Sequence, residues 1–394
     1  MRKGTEVVDY ERYPSVEDFL NTAREATGLN DFGEGNFRIG LTHMLTSLER
    51  EAHLSRPGRE KAIETINRRL KNRLLIEEYY RLHPETAEEQ VGGPAIVTGL
   101  TRTGSTALGN MLSLDPQFRS LRWWEQEEPV PPPVAGKEES DPRRIAYAAE
   151  IDRIYREEPL YAAQHIHEVD ASVEDTETLG LEFGAQGMTM PIFGYMDWWR
   201  ESDQRPTFAY HRRVVQLLQS GGGSKNWLFK APHHKFHLDA LLTSYPEARF
   251  VMTHRDPAKV VPSYTSLVMR GVWDEETAAH HDPREFGRYV SNHLRRGMER
   301  ALESRDRIGE DRFIDIHHHD LNADPHGTLE RIYAFLGMDL RPSVHDALDA
   351  WLLKHRSGAH GDHRYTPEEY GLTEQGIRAD YAFYIDRFNI RTGK

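Results

Sequence analysis

From Gly93 onward, short apolar runs alternate with segments whose apolar residues recur at helical spacing. The runs cover residues 95–98, 227–229, 249–253 and 313–316, and their brevity and apolar content predict β-strands. Strands that alternate with helices in this way are typical of a parallel sheet with helices on both faces. The pattern therefore predicts an α/β fold, a parallel sheet flanked by helices.

The first 90 residues differ, because they carry helical patterns and little strand signal. Ser15 can cap a helix that runs to Ala26, and residues 59–82 are a long charged stretch with apolar positions at helical spacing. We interpret residues 1–90 as a helical extension and residues 91–394 as the α/β domain. Residues 373–388 are predicted to form a last helix whose aromatic face packs on that domain.

The composition is that of an ordinary globular protein, since 38% of the 394 residues are hydrophobic and 29% are charged. No apolar run approaches the ~18 residues that span a bilayer, and residues 1–6 lack a signal-peptide core, so a cytoplasmic location is expected. The absence of cysteine excludes disulfides, thiolate metal ligands and cysteine nucleophiles. A net charge of -13 opposes nonspecific binding to nucleic acid, so an anionic ligand needs a locally positive pocket.

The most informative motif follows the first predicted strand, where Gly99 and Gly104 frame a turn before a helix start. This spacing resembles a P-loop, in which backbone N–H groups and a helix N-terminus hold a phosphate. Ser105 stands where the nucleotide-binding motif requires lysine, and Arg102 lies inside the loop. A planar guanidinium suits a phosphate or sulfate oxygen pair, which favours an anion bound without a metal ion. The alternative is an ordinary turn whose serine and threonine residues cap the helix.

Residues 250–263 form a second strand, turn and helix. If Pro257 lies in the first helical turn, Ser263 lies roughly two turns further along. Arg255, at the strand end, and Ser263 could then converge on one phosphate. The alternative is that Asp256 caps the helix and leaves an arginine at the surface.

With these two motifs in this order, the chain resembles the PAPS-dependent sulfotransferases, particularly the bacterial branch. The likeness covers residues 91–340 and includes the segments Phe229-Lys230-Ala231-Pro232-His233-His234 and Asp320-Leu321-Asn322-Ala323-Asp324-Pro325. In that family the first loop binds the 5′-phosphosulfate, which implies this role for Arg102, Thr103, Gly104, Ser105 and Thr106. Thr101 stands where the family usually has proline.

The resemblance also implies a binding site for the 3′-phosphate of PAPS. Arg255 and Ser263 match the family's Arg-x7-Ser block. Residues 356–363 have the spacing of its C-terminal cofactor loop, which implies further contacts from Arg356 and Gly358. In that loop, serine and histidine replace the family's lysine and tryptophan.

The reaction implied is transfer of a sulfuryl group from PAPS to an acceptor hydroxyl, with PAP as product and no metal ion. Such a site must stabilise charge on the bridging oxygen and activate the acceptor. Arg102 and Lys230 are the candidate cations, while His233, His234 and Glu125 are candidate bases among which the sequence does not choose. The acceptor is expected to be a small, partly apolar molecule with a hydroxyl group.

Three further clusters are given structural interpretations. His317, His318 and His319 lie where adjacent strand residues face opposite sides, so no metal site is predicted there. The basic run at residues 68–73 is interpreted as a solvated helix face. One group of aromatic and methionine residues could line a lipophilic pocket, although core packing is favoured. Its members are Trp123, Trp124, Met188, Met190, Phe193, Tyr195, Trp198 and Trp199.

Two other functions stay open on the sequence alone. A P-loop kinase or NTPase would need the lysine that Ser105 replaces and an acidic metal ligand at a strand end. A non-catalytic module that binds a nucleotide or lipid would keep the fold without turnover. A homo-oligomeric state is also left open.

Overall fold

Five parallel strands form one sheet in the part of the chain that the structure, a computed structural model, describes: residues 12–157, 168–185, 187–223, 226–355 and 365–393. The strands are β1 Ala95–Gly99, β2 Phe118–Ser120, β3 Asn226–Lys230, β4 Arg249–His254 and β5 Phe313–His317. Their order in the sheet is β2-β3-β1-β4-β5. The four predicted strands and the α/β class are confirmed, whereas β2 was missed because three residues carry no readable alternation.

Helices surround this sheet. In chain order, the α-helices are α1 Val16–Thr27, α2 Phe37–Arg50, α3 Arg56–Leu82, α4 Ser105–Ser113, α5 Trp123–Glu127, α6 Pro142–Glu157, α7 Thr176–Gly180, α8 Phe193–Glu201, α9 Arg205–Ser220, α10 Leu238–Ser244, α11 Pro257–Leu267, α12 Glu275–Ala279, α13 Pro283–Ile308, α14 His318–Ala323, α15 Pro325–Leu336, α16 Pro342–Lys354, α17 Glu374–Asp380 and α18 Ala382–Phe388. Short 3₁₀ helices are present at Pro232–Phe236, after β3, and at Pro367–Tyr370, before α17. Within the described ranges, no helix is both long and apolar enough to cross a bilayer.

Apolar clusters cover both faces of the sheet, as its strands' largely apolar sequences require. Ile96 and Phe250 belong to a cluster that includes residues of α9, α10, α11 and α13. Val97 and Val251 belong to the opposite cluster, with residues of α4, α15 and α16. The alternation of side chains along a strand accounts for this division.

Strand order brings the functional loops together. β1 lies between β3 and β4, with Val97 level with Lys230 and Gly99 level with Thr253. The chain leaves β1 toward one edge of the sheet and leaves β4 toward the other, and ligands of open α/β sheets bind at such a divergence. Gly99 permits the close approach, because a Cβ there would lie 2.4 Å from the Thr253 carbonyl oxygen.

The basic run at residues 68–73 is not a solvated face, so that interpretation was wrong. Helices α1 to α3 share an apolar cluster with Phe183 and Trp199, which turns part of α3 inward. Arg69 and Arg73 are 1% and 0% exposed. Each is paired with a carboxylate from a distant part of the chain, because a buried guanidinium needs a counter-charge.

The predicted C-terminal helix is divided into α17 and α18, which meet at Tyr381. The Tyr381 hydroxyl donates a hydrogen bond to the Ser291 carbonyl oxygen at 2.8 Å. Tyr381, Tyr384 and Phe388 are buried. The predicted aromatic packing on the α/β domain is therefore present, but as two short helices.

Candidate active site

The loop between β1 and α4 is held in shape by its own side chains. The Thr103 hydroxyl donates to the Leu100 carbonyl oxygen at 2.7 Å and lies 2.6 Å from the Thr253 hydroxyl. Arg102 has a φ of 59°, a left-handed conformation that costs roughly 1–2 kcal/mol for an L-residue. Gly104, at φ 89°, adopts a similar conformation without that cost. The Thr103 side chain thus maintains the loop, and the Arg102 backbone is strained.

Two arginines and one serine predicted as cofactor ligands lie together at this loop. Arg102 Nε donates to Ser263 Oγ at 3.3 Å, and Arg255 Nη1 donates to the Arg102 carbonyl oxygen at 2.9 Å. Among the described residues, the hydrogen-bond partners of these two guanidinium groups are this hydroxyl and this carbonyl oxygen, and no carboxylate forms an ion pair with either. Burial lowers the pKa of both arginines while the nearby Tyr365 phenol opposes that shift. Both remain cations at neutral pH, so the corner carries positive charge that the described residues leave unpaired.

The helix that follows adds backbone donors to this corner. Ser105 and Thr106 are the first residues of α4, Ser105 buried and Thr106 exposed. N–H groups of a first helical turn have no acceptor within the helix and carry a partial positive charge. They offer an anion site beside Arg102.

His318 also lies at this corner, which the sequence analysis did not anticipate. Its Cδ2 would be 3.2 Å from a Cβ on Gly104. Burial, together with the charges of Arg255 and Arg102, lowers the pKa of His318 to about 4. The side chain is therefore a neutral wall of the corner, a role that the run of three histidines did not reveal.

Lys230 reaches the site from the end of β3. It is 3% exposed, and a Cβ on Gly109 of α4 would lie 3.3 Å from its Cδ. Its Nζ lies 3.7 Å from Glu174 Oε1. Lys230 therefore lies over α4 with its ammonium directed at a carboxylate from the segment at residues 168–175.

Glu174 is a candidate functional residue that the sequence analysis missed. Its backbone is fixed, since Gln126 Nε2 donates to the Glu174 carbonyl oxygen at 3.0 Å and Val173 N donates to Leu121 O at 3.2 Å. The side chain is 36% exposed, unlike its partner Lys230. No local signal could have found it, because Glu174 belongs to an acidic stretch without a recognisable motif.

His233 and His234 occupy the 3₁₀ turn after β3 in different surroundings. Burial lowers the pKa of His233 to about 4, and the charge of Glu174 opposes that shift. His233 Nδ1 has no hydrogen-bond partner among the described residues. His234 Nε2 lies 2.8 Å from Asp175 Oδ2, and His211 Nε2 lies 3.2 Å from the same oxygen. His234 thus belongs to a buried His–Asp–His cluster, whereas His233 is available beside Glu174.

Glu125 lies on α5 and is 1% exposed. Arg122 Nη1 lies 3.5 Å from one of its carboxylate oxygens and Arg119 Nη2 lies 3.8 Å from the other. Burial raises the pKa of Glu125 although both arginines oppose the shift. The carboxyl group is thus inside the protein between two arginines.

Two predicted ligands, Arg356 and Gly358, lie outside the described residues, whose next segment begins at Tyr365. Of the aromatic and methionine residues considered for a lipophilic pocket, four are at most 4% exposed and belong to the core: Trp124, Met188, Tyr195 and Trp199. Across the described ranges, no three histidine, aspartate or glutamate side chains are grouped as metal ligands.

Comparison with known proteins identifies relatives of this chain. The profile described as Sulfotransferase family matches residues 94–342. This chain is 27% identical over 168 residues to two curated proteins. Both are named omega-hydroxy-beta-dihydromenaquinone-9 sulfotransferase Stf3, one from Mycobacterium tuberculosis and one from Mycobacterium bovis. This match covers 42% of the chain and 41% of each relative, so it spans about two fifths of their length.

Two solved structures resemble the whole chain more completely. Sulfotransferase STF9 from Mycobacterium avium is 29% identical, with a TM-score of 0.88 over 97% of this chain and 99% of that one. Sulfotransferase STF1 from Mycobacterium tuberculosis H37Rv is also 29% identical, with a TM-score of 0.83 over 95% of this chain and 100% of that one. The likeness includes the N-terminal helices as well as the sheet.

Proposed function

This chain belongs to the sulfotransferase family, and we propose that it moves a sulfuryl group from PAPS to a hydroxyl of a partly apolar acceptor, releasing PAP. One observation carries the choice of donor. Arg102 and Arg255 meet where the chain diverges from β1 and β4, and no described carboxylate neutralises them. A ligand with two separate anionic groups suits this pair of cations better than a metal-bridged triphosphate.

The fit to PAPS follows from the arrangement of donors. Arg102 and the first turn of α4 offer a guanidinium and backbone N–H groups to the 5′-phosphosulfate. Arg255 and Ser263 are assigned to the 3′-phosphate. The N–H groups of Thr103 and Gly104 belong to the same turn, while the Thr103 hydroxyl is used within the loop. Ser105 in place of the P-loop lysine argues against a nucleoside triphosphate.

The transfer requires one proton movement and one displacement. A base takes the acceptor's hydroxyl proton as that oxygen bonds to sulfur, and the sulfur–oxygen bond to the phosphate breaks. The electron pair of the broken bond leaves on PAP. Lys230 and Arg102 stabilise the negative charge that develops on the bridging oxygen, which lowers the barrier.

Glu174 is the base that the contacts favour. It is a partly exposed carboxylate whose Oε1 lies 3.7 Å from Lys230 Nζ, so it borders the cation assigned to the leaving group. Glu125 is buried with a raised pKa, and His234 is committed to Asp175. His233 is the second candidate, because burial keeps its imidazole neutral.

The acceptor class rests on the relatives. Stf3 carries in its name a hydroxylated menaquinone, which is an apolar molecule with one terminal hydroxyl. An acceptor of related chemistry, an alcohol or phenol on an apolar body, is consistent with a site whose proton acceptor lies among partly buried groups. We therefore propose a class of acceptor, apolar molecules that carry an alcohol or phenol group, and no single compound.

The test measures transfer of ³⁵S from labelled PAPS to a panel of phenols, long-chain alcohols and hydroxylated isoprenoid quinones. We expect labelled product and calorimetric binding of PAP in EDTA. Glu174→Gln should lower kcat by roughly 100-fold, as loss of a general base does. The control is Glu168→Gln, which removes another carboxylate of the segment that carries Glu174. Glu168 is paired with Lys354, and this variant should keep near-normal activity.

Other outcomes would reject particular parts of the proposal. Hydrolysis of Mg·ATP without PAP binding would indicate a kinase or NTPase. PAP binding with no transfer to any acceptor would favour a non-catalytic module. Full activity in Glu174→Gln, with loss in His233→Asn or Glu125→Gln, would move the base to that residue.

A further inference from the structure

The two residues that flank Arg255 at the end of β4 are in contact with the C-terminal helices. His254, Arg255 and Asp256 follow one another, and only Arg255 extends toward the β1 loop. The Tyr384 hydroxyl of α18 lies 3.0 Å from Nδ1 of His254, the residue that precedes Arg255. Arg378 Nη2 of α17 donates to Asp256 Oδ2 at 2.8 Å. The contacts therefore fix Arg255 from both sides along the chain.

The orientation of the Tyr384 hydroxyl follows from the far side of the His254 ring. His254 Nε2 lies 2.8 Å from Asp315 Oδ1, and Arg305 Nη1 donates to the same oxygen at 2.6 Å. Against the effect of burial, these hydrogen bonds hold the pKa of Asp315 well below its usual range. An ionised Asp315 requires an N–H at Nε2, so Nδ1 is the acceptor and Tyr384 donates to it.

Asp256 is held equally firmly at the start of α11. Its Oδ1 accepts the Ala258 N–H at 2.9 Å, which caps the helix, while Oδ2 receives Arg378. Lys259 Nζ, one turn further, lies 2.8 Å from Glu374 Oε1. Helix α17 therefore ties down the first turn of α11, and with it the direction in which the chain leaves Arg255.

We propose that Tyr384 and Arg378 are positioning residues that hold Arg255 ready for the 3′-phosphate of the sulfuryl donor, an inference that rests on the proposed function. A free arginine side chain loses rotamer entropy when it binds an anion. The two anchors on the neighbouring residues fix the backbone from which the side chain extends, and the hydrogen bond from Arg255 Nη1 to the Arg102 carbonyl oxygen restricts the side chain itself, so less freedom is lost on binding. The C-terminal helices thereby contribute to donor affinity without touching the donor.

The test compares two tyrosines of the same C-terminal segment. Tyr384 and Tyr381 are both 0% exposed, and each hydroxyl is hydrogen-bonded, but Tyr381 contacts Ser291 rather than the end of β4. Calorimetry should show PAP bound roughly 5–10-fold more weakly by Tyr384→Phe, as expected for one lost hydrogen bond, and within about 2-fold of normal by Tyr381→Phe. The KM for PAPS should rise in Tyr384→Phe while kcat and the acceptor KM stay unchanged.

Two further measurements separate positioning from general stability. In an Arg255→Ala background, Tyr384→Phe should have no additional effect on PAP affinity, because the side chain on which it acts is gone. Arg378→Gln should weaken PAP binding in the same way, and Arg378→Lys should restore part of the affinity.

The inference is overturned if Tyr384→Phe and Tyr381→Phe affect PAP affinity equally, or if the Tyr384 effect persists undiminished without Arg255. If Arg255→Ala itself binds PAP normally, the donor assignment in the proposed function fails, and the positioning argument with it. Weaker PAP binding in Arg255→Ala with no effect of Tyr384→Phe rejects only the positioning argument.

Discussion

Two pairs of arginines in this molecule differ in what surrounds them. Arg69 and Arg73 lie on α3 and form ion pairs with Glu177 and Glu182 at 2.8 Å and 2.5 Å. Arg102 and Arg255 have a hydroxyl and a carbonyl oxygen as neighbours, with no ion-paired carboxylate among the described residues. Where a carboxylate reaches the guanidinium, its charge serves the fold. Where none does, the charge remains available to an anionic ligand.

The reason lies in the cost of removing a charge from water, which is several kcal/mol for a buried ion and needs full compensation. Arg73 obtains it from Glu182 and from the carbonyl oxygens of Phe32, Glu34 and Leu181. The Tyr210 ring, 3.9 Å from the Arg73 Cζ, adds a cation–π contact. Four of the five N–H groups of that guanidinium therefore have an acceptor. Arg102 is exposed, and Ser263 is its one such partner among the described residues.

The largest expected effect is that of Arg102→Ala on catalysis. We expect kcat/KM to fall about 1,000-fold, as for loss of a cation that stabilises transition-state charge. The melting temperature should hardly change, since Arg102 makes few contacts within the fold. Steady-state kinetics and thermal unfolding measure the two quantities.

Arg102→Lys serves as the control, because it keeps the charge and loses the planar pair of donors. Its activity should lie between those of the other two proteins. Unchanged transfer by Arg102→Ala would remove the distinction between the two arginine pairs.

The opposite result is expected for Arg73→Met. Removing one partner of a buried pair leaves Glu182 without its cation and should lower the free energy of unfolding by about 3 kcal/mol. The kcat of the folded protein should stay close to normal. Urea unfolding is the measurement, and Arg56→Met on the same helix, where Arg56 is 87% exposed, is the matched control. Equal effects of the two variants would show that burial of Arg73 carries no energetic weight.

The two loops that we assign to the donor could be identified from the sequence because the information for each of them is local. Arg102 lies between two glycines after a readable strand, and Arg255 precedes a helix capped by Asp256, so each motif spans fewer than about fifteen residues. The prediction that the two loops meet required only that β1 and β4 be parallel strands of one sheet, because such strands end at the same edge. The short strand at Phe118–Ser120 and the division of the last helix at Tyr381 depend on packing, which periodicity does not report.

The remaining features depend on contacts between distant parts of the chain. Arg73 and Glu182 are 109 positions apart, and Glu174 meets Lys230 only in the folded protein. A single sequence contains no pattern for such pairs, so the basic run at residues 68–73 was interpreted as a solvated helix face and Glu174 was not considered. The roles assigned to all the candidate site residues stay predictions, and Arg356 and Gly358 in addition lie outside the described residues.

The smallest expected effect is on the pH dependence of stability and concerns His237. A buried histidine without a counter-charge can avoid the cost of burying a charge by losing its proton. Burial and the charge of Arg300 lower the pKa of His237 to about 3. The unfolded chain binds this proton near its ordinary pKa of ~6.5, so the contribution to stability is complete above that pH and declines as the pH falls toward 3. Between pH 6.5 and pH 5 the loss from this one site should be about 2 kcal/mol.

His237→Phe should reduce that pH dependence by close to one proton, measured as the slope of the free energy of unfolding against pH. His237→Gln should reduce the slope equally. This variant also loses the contact between the His237 ring and the Trp199 ring, whose centres lie 4.8 Å apart, so its free energy of unfolding is expected to be lower at every pH. Agreement between the two slopes would show that the lost proton, and not the changed shape, is responsible. If both variants kept the slope of the parent protein, His237 would be protonated inside the fold without a paired carboxylate. That result would contradict the conclusion from Arg69 and Arg73 that a buried charge in this fold requires a counter-charge.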